Sequence, residues 1–249
     1  FVMNKGLFTY SYAVPGTFKV VCIATTYDTY LGGNMKTDIT TFEVTVSDDV
    51  TTIDKVSSSI TPNIYYAELI DDVNWVMRAP TKQVYNNREI TLNAKRQRLS
   101  FEIASDSSKI YVDNELYAIN NYYDLTQVHD IHVVANSGDE RNYKLYTLIY
   151  PEFSSISING EKAELTRNAF YQDLQTYTFT LPQGTDISNV VPEFNIDDDV
   201  KFYAGDTEIQ PGTTIDLTNT DVTYTLKRTY ADNPNITATS TVILNITYK

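Results

Sequence analysis

The chain contains few of the residues that most often carry catalysis or cross-link a fold. Its 249 residues include one cysteine, Cys22, and two histidines, His129 and His132. A single cysteine excludes an internal disulfide, and alternation places Cys22 on one face with Phe18 and Val20, which predicts a buried thiol. The histidines are three positions apart in a predicted strand, so they point to opposite faces and do not share a metal ion.

Basic residues are also scarce. The 32 aspartates and glutamates outnumber the 19 lysines and arginines, which gives a formal net charge of −13. A surface of this sign repels phosphate backbones and anionic lipid surfaces. The composition therefore argues against a nucleic-acid partner.

Long apolar runs and helical patterns are missing as well. No run approaches the roughly 20 apolar residues that a membrane helix needs, and no charged-then-apolar leader opens the sequence. No segment keeps a helical apolar stripe for more than about two turns. Neither a membrane helix nor a helical domain is predicted.

The sequence does contain apolar and polar residues in alternation, with a period of two. Such runs cover residues 42–46, 177–181, 222–226 and 242–248 and are typical of half-buried strands. Turn-forming residues separate them, among them Gly32-Gly33-Asn34, Asn159-Gly160 and Pro211-Gly212. The pattern predicts an all-β fold of tandem antiparallel immunoglobulin-like β-sandwiches.

Two stretches of the chain, 92 positions apart, resemble one another. Lys109-Ile110-Tyr111-Val112 is repeated as Lys201-Phe202-Tyr203-Ala204, and Tyr123-Asp124-Leu125-Thr126 as Ile215-Asp216-Leu217-Thr218. A looser match sets Leu145 to Tyr150 against Ile243 to Tyr248. A duplicated unit of domain size follows, with predicted units at residues 1–49, 50–151 and 152–249. The first unit offers about three strands, too few to close a sandwich alone.

The first unit resembles part of a known domain. Tyr10-Ser11-Tyr12-Ala13-Val14-Pro15-Gly16-Thr17-Phe18, with the alternating residues up to Ala24, resembles the second half of a polycystic-kidney-disease (PKD) type immunoglobulin-like domain. Pro15 fixes φ and Gly16 permits the tight turn before a strand. The resemblance implies that residues 1–49 are a partial PKD-like domain, since the upstream tryptophan-x-phenylalanine-glycine-aspartate-glycine motif is not in this chain.

The two later units resemble another group of modules. Thr178-Phe179-Thr180-Leu181-Pro182-Gln183-Gly184-Thr185-Asp186, followed by Val191-Pro192-Glu193-Phe194, is similar to the immunoglobulin- or cadherin-like repeats of unknown function in surface lipoproteins of gut Bacteroidetes. The resemblance implies an exported protein at the cell surface or outer membrane. Its only membrane contact would be a lipid anchor on a cysteine upstream of this chain.

Catalytic and metal-binding patterns are absent. There is no glycine-x-serine-x-glycine elbow or catalytic-cysteine context, and two histidines with one cysteine supply too few zinc ligands. The densest acidic groups, Asp71-Asp72 and Asp197-Asp198-Asp199, are typical of solvated turns, although a glycosidase needs only two carboxyls about 5–10 Å apart. Asp232-Asn233-Pro234-Asn235 is only faintly similar to a calcium-binding linker. The sequence predicts no enzyme, no cofactor and no metal.

Aromatic residues are the remaining functional signal. Sugars stack their C–H faces on exposed rings, so exposed tyrosine clusters are candidate glycan platforms. The candidate ligand-binding residues are Tyr65, Tyr66, Trp75, Tyr122 and Tyr123. Alternation turns one tyrosine of each pair inward, and the only tryptophan, Trp75, shares a face with Met77, which predicts a core position for it.

Three hypotheses follow. The first is a non-catalytic cell-surface protein, a glycan-binding or adhesion module whose partner is a polysaccharide or another surface protein. The second is a purely structural spacer or stalk. The third, a carbohydrate-active enzyme, requires two carboxylates that converge in a cleft near Tyr150.

Overall fold

The fold is all-β, as predicted. The computed structural model describes residues 9–27, 35–60 and 63–249, and these ranges contain strands and turns but no helix. It follows that no helix of the described ranges could cross a membrane. The predicted turn at Gly32-Gly33-Asn34 lies outside these ranges.

The first two strands form a hairpin by themselves. β1 (Gly16–Tyr27) pairs antiparallel with β2 (Met35–Val46) along its whole length, and no other described strand joins them. Cys22 lies opposite Thr40 on the face that also carries Phe18 and Phe42, as alternation predicted. Its side chain is nevertheless exposed, so the prediction of a buried thiol is wrong. The physical reason is that no second layer of described residues covers this face.

Residues 50–151, here called repeat 1, form an eight-stranded sheet and a small hairpin. The sheet order is β10-β9-β11-β12-β5-β4-β3-β8, and β6 pairs with β7. The strand β4 pairs with β3 through residues 63–66 and with β5 through residues 67–69, so it links two halves of the sheet that enclose one core. The strands are β3 (Ile53–Ile60), β4 (Asn63–Leu69), β5 (Asn74–Ala79), β6 (Lys82–Tyr85), β7 (Arg88–Thr91), β8 (Leu99–Ile103), β9 (Lys109–Val112), β10 (Glu115–Leu116), β11 (His129–Val134) and β12 (Glu140–Ile149).

Residues 152–249, here called repeat 2, form two sheets around a second core. Their orders are β14-β13-β17 and β15-β16-β21-β20-β18-β19. Aromatic rings fill much of this core, with Phe153 and Phe202 edge to face at 5.0 Å between ring centroids. The strands are β13 (Ser155–Ile158), β14 (Glu161–Lys162), β15 (Glu164–Arg167), β16 (Leu174–Leu181), β17 (Glu193–Asn195), β18 (Val200–Ala204), β19 (Thr207–Glu208), β20 (Tyr224–Tyr230) and β21 (Asn233–Tyr248).

The sheets are not purely antiparallel. In each repeat an early strand lies parallel to the last one, β5 beside β12 and β16 beside β21. Parallel neighbours need a long connection, and here the connection consists of the intervening strands of the same repeat. The prediction of antiparallel pairing is wrong at these two pairs and correct at the others.

The two parallel pairs also define how the repeats correspond. Leu145 lies opposite Trp75 in repeat 1, and Leu244 lies opposite Tyr177 in repeat 2. The looser sequence match, which set Leu145 against Ile243, is therefore one residue out of register. Such a shift exchanges the inner and outer faces of a strand, and Ile243 is indeed exposed.

The repeated Asp-Leu-Thr motif forms the same turn in both repeats. The Asp124 Oδ1 atom accepts hydrogen bonds from the N–H and hydroxyl of Thr126 at 3.0 and 2.6 Å, and Asp216 Oδ1 accepts the same two bonds from Thr218 at 2.8 and 2.6 Å. The hydroxyl bond is the main cause that lowers the pKa of each carboxyl. The similarity of the repeats at this motif is thus explained by local turn chemistry.

Repeat 2 packs on the outer face of repeat 1. Val76 and Leu148 point outward from β5 and β12, and Ile236 and Ala238 at the beginning of β21 bury them. These residues belong to a third apolar cluster, separate from the cores of the repeats. A sheet face that would otherwise be exposed therefore has the composition of a core.

Two arginines bond backbone carbonyls across this junction. Arg78 Nε of repeat 1 donates to the carbonyl of Thr237 at 2.6 Å, and Arg228 Nη1 of repeat 2 donates to the carbonyl of Ile149 at 2.8 Å. Charge-assisted bonds to these partly buried carbonyls satisfy polar groups that the apolar contact partly removes from water.

A third arginine pairs with carboxylates of both repeats. Arg167 donates two hydrogen bonds to Glu152 at 2.6 and 2.9 Å and one to Glu89 on β7. Although burial opposes it, the bond from Arg167 lowers the pKa of Glu89, and the bonds to Glu152 raise the pKa of Arg167. Apolar packing and paired charges together hold the repeats in one arrangement.

Candidate functional site

Two of the five candidate aromatic residues lie in the core of repeat 1. Tyr65 is 6% exposed and donates its hydroxyl hydrogen to Gln83 Oε1 at 2.8 Å, and Trp75 is 5% exposed beside Met77. Inward side chains on β4 and β5 face the opposing half of the sheet, so neither ring presents a surface to a ligand. The core position predicted for Trp75 is confirmed, and both residues leave the set of candidate platforms.

The two tyrosine pairs divide as alternation predicts. Tyr123 packs against the core of repeat 1 with its ring edge-to-face to His129 at 5.7 Å between centroids. Tyr66 and Tyr122 keep 55% and 49% of their surface exposed. Tyr122 and Tyr66 are therefore the remaining candidates, while the inward Tyr123 fixes the position of its neighbour.

Tyr66 lies on the outer face of β4, next to a lysine whose charge is paired with a carboxylate. The Lys55 ammonium stands 4.8 Å from the centre of the ring and pairs with Glu102 at 2.8 Å. This lysine is satisfied by a carboxylate of its own sheet. The surroundings of Tyr66 consequently resemble an ordinary strand surface.

Tyr122 has a different environment. The Arg96 guanidinium lies 4.3 Å from its ring centre and the Arg98 guanidinium 5.0 Å from it, within the range of cation–π contacts. Arg98 Nη2 also donates to the Tyr122 hydroxyl at 3.2 Å. Sequence reasoning missed these arginines, and the available signal was three basic residues within Lys95-Arg96-Gln97-Arg98 of an acidic chain.

The backbone fixes this cluster in place. The N–H groups of Gln97 and Tyr123 donate to each other's carbonyl oxygens at 3.0 and 2.7 Å, and Gln97 is buried. Since Gln97 points inward, its neighbours Arg96 and Arg98 project to the other side, where Tyr122 lies. We call Arg96, Arg98 and Tyr122 the arginine–tyrosine cluster.

A groove at the junction of the repeats begins beside this segment. Its cavity measures about 270 Å³, and its wall contains one carboxylate, Asp199, which pairs with Arg228 at 3.0 Å. Asp197 outside the wall pairs with the same guanidinium. Among the described residues that line this groove, Asp199 is the one carboxylate, whereas the enzyme hypothesis requires two that converge in the cleft. The lining is Ala94, Leu125, Thr126, Thr147, Leu148, Ile149, Asp199, Arg228 and Tyr230.

The histidines lie on opposite faces of β11, as predicted. His129 is buried, with Nδ1 2.7 Å from Asp113 Oδ2 and Nε2 3.0 Å from the carbonyl oxygen of Asp124. Both partners are acceptors, so both contacts are hydrogen bonds when the ring carries two protons. His132 on the other face contacts Glu140. Within the described ranges no three metal-ligating side chains come together.

The chain matches no protein-family model and no curated protein.

Proposed function

We propose that the protein is a non-catalytic cell-surface module that binds glycans and is built on tandem immunoglobulin-like β-sandwiches. The division into strand layers around two separate cores supports the sandwich assignment. The cell-surface location follows from the sequence resemblance to surface lipoproteins alone. An adhesive contact with another surface protein belongs to the same proposal, because a glycan on that protein is an equivalent ligand.

The observation that carries the proposal is the exposed ring of Tyr122 on a fixed backbone. Two exposed asparagines, Asn120 and Asn121, directly precede Tyr122 in the chain. Amides donate and accept hydrogen bonds, as sugar hydroxyls do, and the part of Tyr122 that stays exposed beside Arg96 and Arg98 can pack against sugar C–H groups. An exposed aromatic ring on a fixed backbone with polar side chains in the same segment is therefore a candidate carbohydrate platform.

The experiment is retardation of the full chain in gels that contain host or plant polysaccharides. We expect one class of polysaccharide to retard the protein, and Tyr122→Ala to abolish the retardation without changing the melting temperature. Tyr248→Ala is the matched control, because Tyr248 is 48% exposed and lies in repeat 2. Tyr66→Ala tests the second exposed candidate. Unchanged retardation of the Tyr122 and Tyr66 variants would contradict the proposed platforms.

A structural spacer is the second candidate, and the buried junction favours it. The apolar cluster and the arginine bonds hold the two repeats in a fixed arrangement, as a stalk requires. If no polysaccharide retards the protein, the spacer becomes the better account. The one carboxylate in the junction groove, already paired with Arg228, gives no support to a carbohydrate-active enzyme, so we propose no catalytic role.

A further inference from the structure

The arginine–tyrosine cluster differs from the arginines at the junction of the repeats. Arg78, Arg167 and Arg228 each pair with carboxylates. Arg96 and Arg98 are exposed, and neither has a carboxylate partner among the residues that the structure describes. Two like charges are thus held side by side in a protein with a net charge of −13.

The contact with Tyr122 leaves these guanidinium groups able to bind a further group. A guanidinium that stacks on an aromatic ring is held by its face, and its N–H donors lie in the plane of the group. Among the described residues, one hydrogen bond uses a guanidinium donor of the cluster, the bond from Arg98 to the Tyr122 hydroxyl. The remaining donors are preorganised for an oxyanion, since carboxylate and sulfate oxygens match the spacing of guanidinium N–H groups.

Repeat 2 provides an internal comparison. Its backbone forms the same bridge, between Val190 and Ile215, that Gln97 and Tyr123 form in repeat 1. The residues beside this bridge, at the positions of Arg96, Arg98 and Tyr122, are Asn189, Val191 and Thr214. The bridge therefore forms without any charge or ring at these positions, so turn formation does not explain the cluster.

We propose that Arg96, Arg98 and Tyr122 bind an acidic polysaccharide through the carboxylate or sulfate groups on its sugars. This inference rests on the proposed function and specifies its ligand class. Exposed amides of Asn93, Asn120 and Asn121 lie in the same two segments and match the hydroxyl groups that surround such an anion on a sugar ring. An acidic peptide offers the anion without these hydroxyls.

The net charge of the chain sets the conditions of binding. Anions are repelled by most of the surface, and the attraction of the cluster acts over about one Debye length, roughly 8 Å at physiological ionic strength. Binding should therefore weaken as salt is added, with the ligand anion held at this one patch.

The test is binding of the full chain to polygalacturonate, dextran sulfate, neutral dextran and polyglutamate, measured by calorimetry at low and physiological salt. We expect binding to one or both acidic polysaccharides, and Arg96→Met with Arg98→Met should weaken it about tenfold or more. The matched control is Lys162→Met with Lys227→Met, which removes the same charge from exposed lysines of repeat 2. This control should leave the affinity within about twofold, since surface charges far from the ligand are screened.

Each other outcome overturns the inference. Binding of a neutral glycan that depends on Tyr122 but not on the arginines would leave the proposed function in place and reject the acidic ligand. Equal binding of polyglutamate would show an acidic protein partner. Absence of binding to every polysaccharide, here and in the gels, would reject the inference and the proposed function together. The two acidic polysaccharides distinguish a carboxylate from a sulfate.

Discussion

Repeats 1 and 2 share a five-strand order, β10-β9-β11-β12-β5 in repeat 1 and β19-β18-β20-β21-β16 in repeat 2, and differ in what lies on its outer face. At equivalent outward positions, repeat 1 has Val76 and Leu148, whereas repeat 2 has Thr178 and Thr247. The apolar pair is buried under repeat 2, and Thr247 is exposed. The same backbone thus carries a docking face in one copy and a solvated face in the other.

This difference shows that inward and outward positions of the strands are under different constraints. Inward positions need only apolar side chains of matching volume, so Trp75 corresponds to Tyr177 and Met77 to Phe179. Outward positions do not contact the core, so their side chains differ according to what the surface contacts at that place. The arginine–tyrosine cluster of repeat 1 is the second such outward difference.

The largest predicted effect breaks the docking face. Val76→Asp places a carboxylate at a position that is 0% exposed, and we expect it to lower the free energy of unfolding by about 3 kcal/mol or more. Thr178→Asp, at the equivalent position of repeat 2, should cost under about 0.5 kcal/mol. Urea denaturation of both variants measures the difference. Equal losses would show that the two faces are not distinguished by burial.

The next effect separates paired from unpaired arginines. Arg167→Met leaves Glu152, whose side chain is 18% exposed, without its partner, and we expect a loss of about 2–3 kcal/mol. Arg96→Met removes a guanidinium that has no carboxylate partner among the described residues and should change stability by less than about 0.5 kcal/mol. The same denaturation measurement applies. A large loss for Arg96→Met would show that the cluster is structural.

The third prediction compares two tyrosine hydroxyls, each of which bonds the backbone near the first residues of its repeat. The Tyr177 hydroxyl accepts the N–H of Phe153 at 3.0 Å and donates to the buried Gln175 at 2.9 Å. Tyr177→Phe leaves both groups unpaired and should cost about 2 kcal/mol.

The control for this effect lies in repeat 1. The Tyr143 hydroxyl donates only to the carbonyl of Thr51, at 3.2 Å, so Tyr143→Phe should cost about 1 kcal/mol or less. Hydrogen exchange of residues 47–52 and 150–154 locates each loss. If the two variants lose equal stability, the second hydrogen bond of Tyr177 adds nothing.

The smallest effect tests a feature that the repeats share. The pKa of Asp124 and of Asp216 is lowered in the folded state, chiefly by a threonine hydroxyl. Each carboxylate therefore stabilises the fold above its unfolded pKa of about 3.9, and this contribution is lost as the pH falls through the lowered folded value. Asp124→Ala and Asp216→Ala should both lower the melting temperature slightly at pH 6, and the difference from the unmodified protein should vanish near pH 2. A difference that persists in acid would show that the turns are held by something other than the charge.

The sequence predicts much of the fold because alternation is a local property. It identifies the all-β class, the inward orientation of one tyrosine in each pair and the core position of Trp75. It does not predict the parallel pairs, because they join strands far apart in the chain, or the exposure of Cys22, which depends on what covers the hairpin face. The predicted match of Leu145 with Ile243 is one residue out of register. A loose sequence match does not fix how many residues connect the two matched motifs.

The candidate site is predicted only in part. Tyr122 emerges from aromatic content, but the fold is needed to show that Arg96 and Arg98, 24 or more positions away, meet its ring. Nor does the sequence show that Tyr65 is buried against Gln83. Contacts between distant segments depend on the tertiary structure, and the binding proposal depends on such contacts.

The central claim is that repeat 1 carries a binding cluster beside a backbone bridge. Repeat 2 has the same bridge but lacks the cluster. The most direct test is calorimetric titration of polygalacturonate and dextran sulfate into three proteins. These are the unmodified chain, the chain with Arg96→Met and Arg98→Met, and this variant with Asn189→Arg, Val191→Arg and Thr214→Tyr added. We predict binding, loss of binding, and recovery of binding in that order. Undiminished binding by the second protein would contradict the claim.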